Sequence, residues 1–178
     1  MEHPLDRTDL QILTALQNDG RLSNKELAAH VGLAPSSCLE RVRRLRASGV
    51  LRGFRAEVAP EAFGIHLQAM IAVQMRRQDG ELLDRFEREA LARPEVLALY
   101  YVAGPDDFLL HVVAKDTDHL RRIVSDLPCS RLIAHVQTAL IFAHKARPAL
   151  PDYTAGAARP ATPPLEFIPP RDEPDEDE

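Results

Sequence analysis

Two short helix patterns separated by a tight turn constrain the fold of this chain more than any other feature. Ser23 and Glu26 have the spacing of a capping box, in which each side chain accepts a hydrogen bond from the other residue's backbone. The helix that begins there stops at Gly32, and Pro35 suits the first position of the next helix. Two short helices joined by three or four residues that include a glycine predict a helix-turn-helix motif.

The helix that follows Pro35 divides into a buried side and a basic side. At about 100° per residue, Cys38, Val42 and Leu45 point the same way and face the predicted core. Residues 41–56 hold six arginines and no acidic residue. Arginine suits both phosphate groups and the O6/N7 edge of guanine. The predicted outer arc comprises Ser36, Ser37, Glu40, Arg41, Arg43 and Arg44.

These features predict that the helix-turn-helix binds double-stranded DNA. Glu40 repels phosphate, unless it accepts from a cytosine amino group or orders Arg44 four residues on. Residues 50–58 predict a short hairpin, or wing, after the helices. The simpler alternative is a solvated basic helix face without a nucleic-acid partner. The residues that we expect to contact DNA are Asn24, Ser36, Ser37, Glu40, Arg41, Arg43, Arg44 and Arg55.

The hydrophobic period changes after residues 60–64. Residues 67–75 alternate as a strand, and the segments that follow give the order β-α-β-β-α-β. That order predicts an α+β chain whose second part is ferredoxin-like, with an antiparallel sheet covered by helices on one face. The strands at residues 108–114 and 132–142 are apolar on both faces. We therefore expect the second face of the sheet to pack on a second copy of the chain.

Composition changes again from Pro148 onward. Eight of the residues 148–178 are proline, and six of the last eight residues are acidic, which predicts a disordered tail. The formal net charge of −5 is concentrated in this tail, so it does not exclude DNA binding. The predicted domains are a winged helix-turn-helix at residues 1–60, a ferredoxin-like domain at residues 61–147 and a Pro-rich acidic tail at residues 148–178.

Simple features exclude other protein classes. No apolar run approaches the ~20 residues of a membrane helix. The first residues lack the basic and apolar regions of a secretory signal. Two cysteines, Cys38 and Cys129, are too few for a disulfide framework. We therefore expect a cytoplasmic protein with no membrane partner.

Longer motifs extend the pattern across most of the chain. They are LDxxDxxIL from residue 5, DGRLS from residue 19, ELAxxVGL from residue 26 and PSxCLERVRRL from residue 35, then GVL, GF and VxGxxDFLL from residues 49, 53 and 102. In this order, over residues 4–147, they resemble the leucine-responsive/asparagine (Lrp/AsnC) family of bacterial and archaeal transcriptional regulators.

The resemblance implies a winged helix-turn-helix followed by a ligand-sensing domain that forms homodimers through its sheet and often octamers of four dimers. It also implies a small-molecule effector, usually an amino acid, bound between sensing domains near residues 104–107. Asp107 would accept from its ammonium group. The alternative is a plain β-turn, because Gly, Pro and Asp are turn residues. The expected effector-binding residues are Tyr100, Val102, Gly104, Asp106 and Asp107.

The helix cap and the loop depart from the family pattern, and the sequence shows no catalytic motif. Ala34 stands where the family has a Ser or Thr cap, which weakens the cap by about 1 kcal/mol. Pro105 and Asp106 replace an aromatic-containing loop. The histidines form no H-x-H or HExxH pair, so we expect no enzyme, no cofactor and no metal. The alternatives are an effector-free architectural DNA-binding protein and an enzyme like the siroheme decarboxylases, which look like this family in architecture.

Overall fold

The computed structural model describes residues 5–77, 79–147 and 149–153. These residues form two compact units, one of residues 5–53 with residues 147 and 149–153, and the other of residues 54–77 and 79–146. The domain boundaries drawn from the sequence stay predictions. From residue 154 onward, the predicted disordered tail lies outside the described residues. Within the described part, no helix is long and apolar enough to cross a bilayer.

The first unit is built from three helices. They are α1 (Arg7–Asn18), α2 (Asn24–Val31) and α3 (Pro35–Ala47), and they confirm the predicted helix-turn-helix. One apolar side of each helix meets at a common core, in which Ile12, Leu27, Cys38 and Leu45 are each at most 2% exposed.

The ends of these helices follow the capping chemistry of the sequence. Asp6 caps α1 and forms a capping box with Asp9, and Ser23 forms the predicted capping box with Glu26. Gly32 ends α2 with φ of 70°, a left-handed conformation that favours glycine. Ala34 precedes α3 without a side-chain cap.

The predicted wing is wrong. Residues 50–59 contain no strand, so the helix-turn-helix carries no hairpin at this position. The side chains of residues 52–59 are all exposed. A two-stranded hairpin is marginal in water without an apolar face to bury, and this segment buries none.

The second unit has the predicted β-α-β-β-α-β order. Its strands form one antiparallel sheet in the order β2-β3-β1-β4, which confirms the ferredoxin-like plan. Short 3₁₀ turns at Pro60–Phe63 and Ser130–Leu132 precede β1 and β4. The elements are β1 (Leu67–Met75), α4 (Gly80–Leu91), β2 (Val96–Tyr101), β3 (Phe108–Ala114), α5 (Thr117–Ser125) and β4 (Ile133–Leu140).

Alternate residues of the strands pack under α4 and α5. Ile71, Leu110 and Val112 are fully buried there against Phe86 of α4 and Ile123 of α5. These side chains form one apolar core on one face of the sheet, because successive strand residues point to opposite faces. Neither of the unit's two described α-helices covers the other face.

Candidate nucleic-acid interface and effector loop

The outward face of α3 carries a row of polar side chains at helical spacing. Ser36, Glu40 and Arg43 lie four and three residues apart, on the side of the helix away from buried Cys38. All three are exposed, and Ser37 beside them is exposed as well. The two serines at the start of the helix leave room for close approach of a ligand backbone. This surface can donate hydrogen bonds from Arg43 and accept them at Glu40.

Two other arginines of α3 turn toward α1. Arg41 Nη1 donates to Asp6 Oδ2 at 2.6 Å and to Asp9 Oδ1 at 2.9 Å. Arg44 Nη2 donates to both carboxylate oxygens of Asp9, at 3.0 and 2.8 Å. Asp9 is 1% exposed, and one of its oxygens also accepts from the backbone N–H of Asp6. The four side chains tie the start of α1 to the middle of α3, and we call them the Asp–Arg cluster.

The hydrogen bonds of Asp6 and Arg41 favour the charged forms of these two side chains. The hydrogen bond from Arg41 holds the pKa of Asp6 below its usual range, helped by the backbone N–H of Asp9. The hydrogen bonds to Asp6 and Asp9 raise the pKa of Arg41. Arg41, predicted on the outer arc, keeps 27% of its side chain exposed while it pairs with α1. Arg44 is paired too, with 43% of its side chain exposed.

The remaining residues predicted to contact DNA lie elsewhere. Asn24, the first residue of α2, is half-buried, and its amide donates to the carbonyl of Pro35 at 2.8 Å. This bond joins the starts of α2 and α3 across the turn. Arg55 is exposed in the irregular segment at the start of the second unit. The structure therefore gathers Ser36, Ser37, Glu40 and Arg43 on one face, and a DNA contact for any predicted residue stays a prediction.

The loop between β2 and β3 is a tight turn. The N–H of Val102 donates to the carbonyl of Asp107 at 2.9 Å, which closes the loop over residues 103–106. Gly104 has φ of 156°, close to the extended limit of the positive range. Val102 and Asp106 are half-buried, and Tyr100 on β2 is 53% exposed. Four of the five expected effector-binding residues therefore lie in or beside this loop with part of their surface exposed; they are Tyr100, Val102, Gly104 and Asp106.

Asp107 differs from the expectation that its carboxylate faces a ligand. It is 5% exposed, and its Oδ2 accepts from the backbone N–H of Met75 at 2.7 Å. Its own N–H donates to the carbonyl of Val73 at 3.0 Å. The pairing of β1 with β4 shifts register between Gln74 and Met75, so the ladder is irregular where the carboxylate binds. Within this chain Asp107 fixes the end of β1, and its effector contact stays a prediction.

Sequence reasoning missed the Asp–Arg cluster and the bond to Met75. The cluster has a signal in the sequence, since Asp6 and Asp9 share the i, i+3 spacing of Arg41 and Arg44. The contact of Asp107 with Met75 has no such signal, because it depends on the register of two strands.

Cys38 is a core side chain: it is fully buried, and burial raises the pKa of its thiol. Among the described residues, no three His, Cys, Asp or Glu side chains gather as metal ligands.

Comparison with known domain families covers both units. An AsnC-type helix-turn-helix domain matches residues 5–46, and an Lrp/AsnC ligand-binding domain matches residues 68–150. The first match covers α1, α2 and all but the last residue of α3, and the second covers the sheet from the second residue of β1 onward.

Known proteins of similar sequence and structure are transcriptional regulators. The HTH-type transcriptional regulator AldR of Mycolicibacterium smegmatis is 45% identical over 141 residues, which cover 79% of this chain and 82% of that protein. The leucine-responsive regulatory protein of Rhizobium meliloti is 36% identical over 137 residues, or 76% and 88% of the two chains. A transcriptional regulator of Neisseria meningitidis, solved in complex with L-Met, superposes with a TM-score of 0.75 at 33% identity, covering 83% of this chain and 97% of that one.

Proposed function

Since this chain belongs to the Lrp/AsnC family of transcriptional regulators, we propose that it binds specific DNA sites as a homodimer under the control of a small effector. Each dimer places two α3 helices in successive major grooves, about one helical turn apart. The protein acts in the cytoplasm and has no catalytic activity.

The single observation that carries this proposal is the outward row of α3. Small serines at the start of a helix let the backbone approach the duplex, and Arg43 suits phosphate or the guanine edge. Glu40 suits a cytosine amino group. Ser36, Ser37, Glu40 and Arg43 are the contacts that we assign to the duplex, with phosphate contacts supplying affinity and base contacts supplying sequence preference.

The exposed face of the sheet supports the homodimer. Met70 lies beside Ala139 of β4, and Ala72 lies opposite Leu109, which in turn is opposite Tyr100. Directly opposed residues of antiparallel strands share a face, so these side chains form an apolar patch on the face away from α4 and α5, beside polar side chains such as His111 and Gln137. A second copy of the chain buries this surface, and four such dimers give the octamer expected for the family.

The effector in this proposal is an amino acid or a molecule like one. It binds near the loop of residues 102–107, where Tyr100 and Asp106 are accessible and loop N–H groups suit a carboxylate. Support comes from the similar regulator of Neisseria meningitidis, which was solved with L-Met.

The DNA proposal is tested on a duplex selected from a random library by the full chain. We expect binding whose affinity falls steeply with salt. Arg43→Ala lowers the slope of log K against log salt by about 0.9 for each phosphate that the arginine neutralises in the wild-type complex. Arg88→Ala, on the exposed side of α4, is the matched control and leaves the slope unchanged. No salt-dependent binding to any selected duplex refutes the proposal.

The dimer and the effector have separate tests. Met70→Asp raises the concentration at which half the protein is dimeric by at least tenfold, or about 1.4 kcal/mol, in light scattering. Ser125→Asp on α5 adds the same charge away from the sheet and leaves that concentration unchanged.

A thermal-shift screen of the twenty amino acids finds the effector, since a ligand at 100 times its Kd stabilises by about 2.7 kcal/mol. A screen without a hit favours an architectural DNA-binding protein.

A further inference from the structure

We propose that Asp9 is a positioning residue of the DNA interface, which withdraws Arg41 and Arg44 from the duplex. The inference rests on the proposed function, because it takes α3 as the helix that meets DNA. It assigns different tasks to arginines that the sequence places in one basic run.

The contacts of Asp9 are those of a committed ion-pair partner. Its carboxylate accepts from Arg41 at 2.9 Å and from Arg44 at 2.8 and 3.0 Å, and only 1% of the residue is exposed. If either guanidinium left to bind a phosphate, the buried carboxylate would lose a counter-charge. Only the carboxylate of this pair is buried, since 27% of the Arg41 side chain and 43% of the Arg44 side chain are exposed. A buried carboxylate that loses a counter-charge is destabilised, so in this proposal both arginines remain with Asp9 when DNA binds.

Charge balance leads to the same conclusion. The two carboxylates of Asp6 and Asp9 offset the two guanidinium groups of Arg41 and Arg44, so the cluster has no net charge to offer to phosphate. Arg43 and Arg46 are exposed and make no ion pair with any described residue. The positive charge that α3 presents to a ligand therefore comes from these two side chains, opposed by Glu40.

The cluster also fixes the rotation of α3 about its own axis. Arg41 and Arg44 are three residues apart and lie on one flank of the helix. Holding that flank against the start of α1 turns Ser36, Glu40 and Arg43 outward as a rigid row. A helix whose side chains are locked by such contacts reads bases more selectively, because a displaced side chain cannot adapt to a wrong base.

The test is Asp9→Asn in the full chain, with Asp19→Asn as the matched control. Asn keeps the shape of the side chain and one acceptor oxygen, while its charge is removed. Asp19 is exposed at the end of α1, and its Oδ1 accepts from the backbone N–H of Arg21, a bond that Asn can keep. Both variants change the net charge equally, so the comparison isolates the release of the arginines.

We measure binding to the selected duplex and to a scrambled duplex over a salt series. In Asp9→Asn, binding to the scrambled duplex tightens, and its salt slope steepens by about 0.9 for each arginine released to a phosphate. The ratio of the two affinities falls by at least tenfold. Asp19→Asn keeps the wild-type salt slope and the wild-type ratio of the two affinities. A variant that only loses folded protein lowers both affinities equally, so its slope and ratio also stay at the wild-type values.

Asp6→Asn provides the second variant if Asp9→Asn does not fold. Asn caps a helix as well as Asp does, and the substitution removes the charge that faces Arg41 at 2.6 Å. The same steepening is expected at a smaller size, because Arg44 stays with Asp9.

The proposal is overturned if Asp9→Asn and Asp6→Asn both keep the wild-type salt slope. It is also overturned if Arg44→Ala lowers the salt slope as much as Arg43→Ala does. In that case Arg44 contacts phosphate, and the DNA-binding function still stands. Wild-type protein without salt-dependent binding refutes the function itself, so the two failures are distinct.

Discussion

Replacing Asp107 by alanine removes the side chain that fixes the end of β1. Its Oδ2 accepts from the N–H of Met75 at 2.7 Å in a site where Asp107 is only 5% exposed. The pairing of β1 with β4 is irregular between Gln74 and Met75. The backbone N–H of Met75 therefore depends on this carboxylate, and alanine offers no acceptor in its place.

The expected cost follows from the group that is left unpaired. A buried N–H without an acceptor costs about 1–3 kcal/mol. For a domain of 60–100 residues each kcal/mol lowers Tm by roughly 4–8 °C. At the middle of the range, about 2 kcal/mol, Asp107→Ala lowers Tm by roughly 8–16 °C. Asp107→Asn keeps an acceptor oxygen, so we expect it to lose less than half as much.

Thermal unfolding of the full chain, followed by calorimetry, measures both variants against wild type. An alanine variant that melts within about 1–2 °C of wild type, well under the shift expected for a buried unpaired N–H, refutes the structural role of the carboxylate. Titration of Asp107→Asn with the effector found by thermal shift then separates the two roles. Unchanged affinity shows that Asp107 supports the loop only, whereas a loss of about ten- to a hundredfold, roughly 1.5–3 kcal/mol, supports direct contact with the effector.

Three further substitutions probe the core, the turn and the Asp–Arg cluster. Phe86→Ala deletes a fully buried ring whose centroid lies 4.8 Å from that of Phe108. In urea unfolding we expect it to lower the free energy of unfolding by about 3–5 kcal/mol, and a decrease below about 1 kcal/mol would contradict the assigned core. Asn24→Ala removes the hydrogen bond to the Pro35 carbonyl and lowers the free energy of unfolding by about 0.5–1.5 kcal/mol. Asn24→Asp gives a similar loss, because its carboxylate cannot donate this hydrogen bond. Because Arg41 lowers the pKa of Asp6 in the folded state, the stability from this group is present above pH ~4 and is lost as the pH falls further. Asp6→Asn therefore loses less stability than wild type between about pH 5 and pH 2. If the free energies of unfolding of the two proteins, measured against pH, fall in parallel, the lowered pKa of Asp6 is contradicted.

Helix ends and strand order are the parts of the fold that local sequence determines. The capping box of Ser23 and Glu26, the left-handed Gly32 and the first-turn Pro35 each satisfy the backbone through neighbours within four residues. The change from a helical to a two-residue hydrophobic period has the same local origin, so the order β-α-β-β-α-β could be predicted. The predicted wing failed because residues with strand propensity form a hairpin only where another surface covers them.

The polar contacts between residues far apart in the chain could not be predicted in the same way, although the shared i, i+3 spacing of the Asp and Arg pairs is visible in the sequence. A helical wheel places a side chain by its angle and treats the outer arc as open to solvent or ligand. At about 100° per residue Arg41 lies only about 60° from buried Cys38, on a flank of the helix. The wheel does not include the neighbouring helix that supplies a buried carboxylate, so the pairing of Arg41 with Asp9 could not be read from it. Asp107 illustrates the same limit in the sheet, since its partner is 32 residues away and depends on strand register.

The contacts of Arg41 and Asp107 within the chain share a physical cause that bears on how the protein works. A small domain cannot leave buried backbone or charge unpaired, so some of its conspicuous polar residues are used within the fold. In the first unit Asp9 engages two arginines, and in the second Asp107 engages the backbone of β1. Each contact lies directly beside the surface proposed for a ligand, α3 in one case and the loop of residues 102–107 in the other. The residues that we propose to meet DNA and effector, such as Arg43 and Tyr100, are neighbours of these supports, and the supports determine where those neighbours stand.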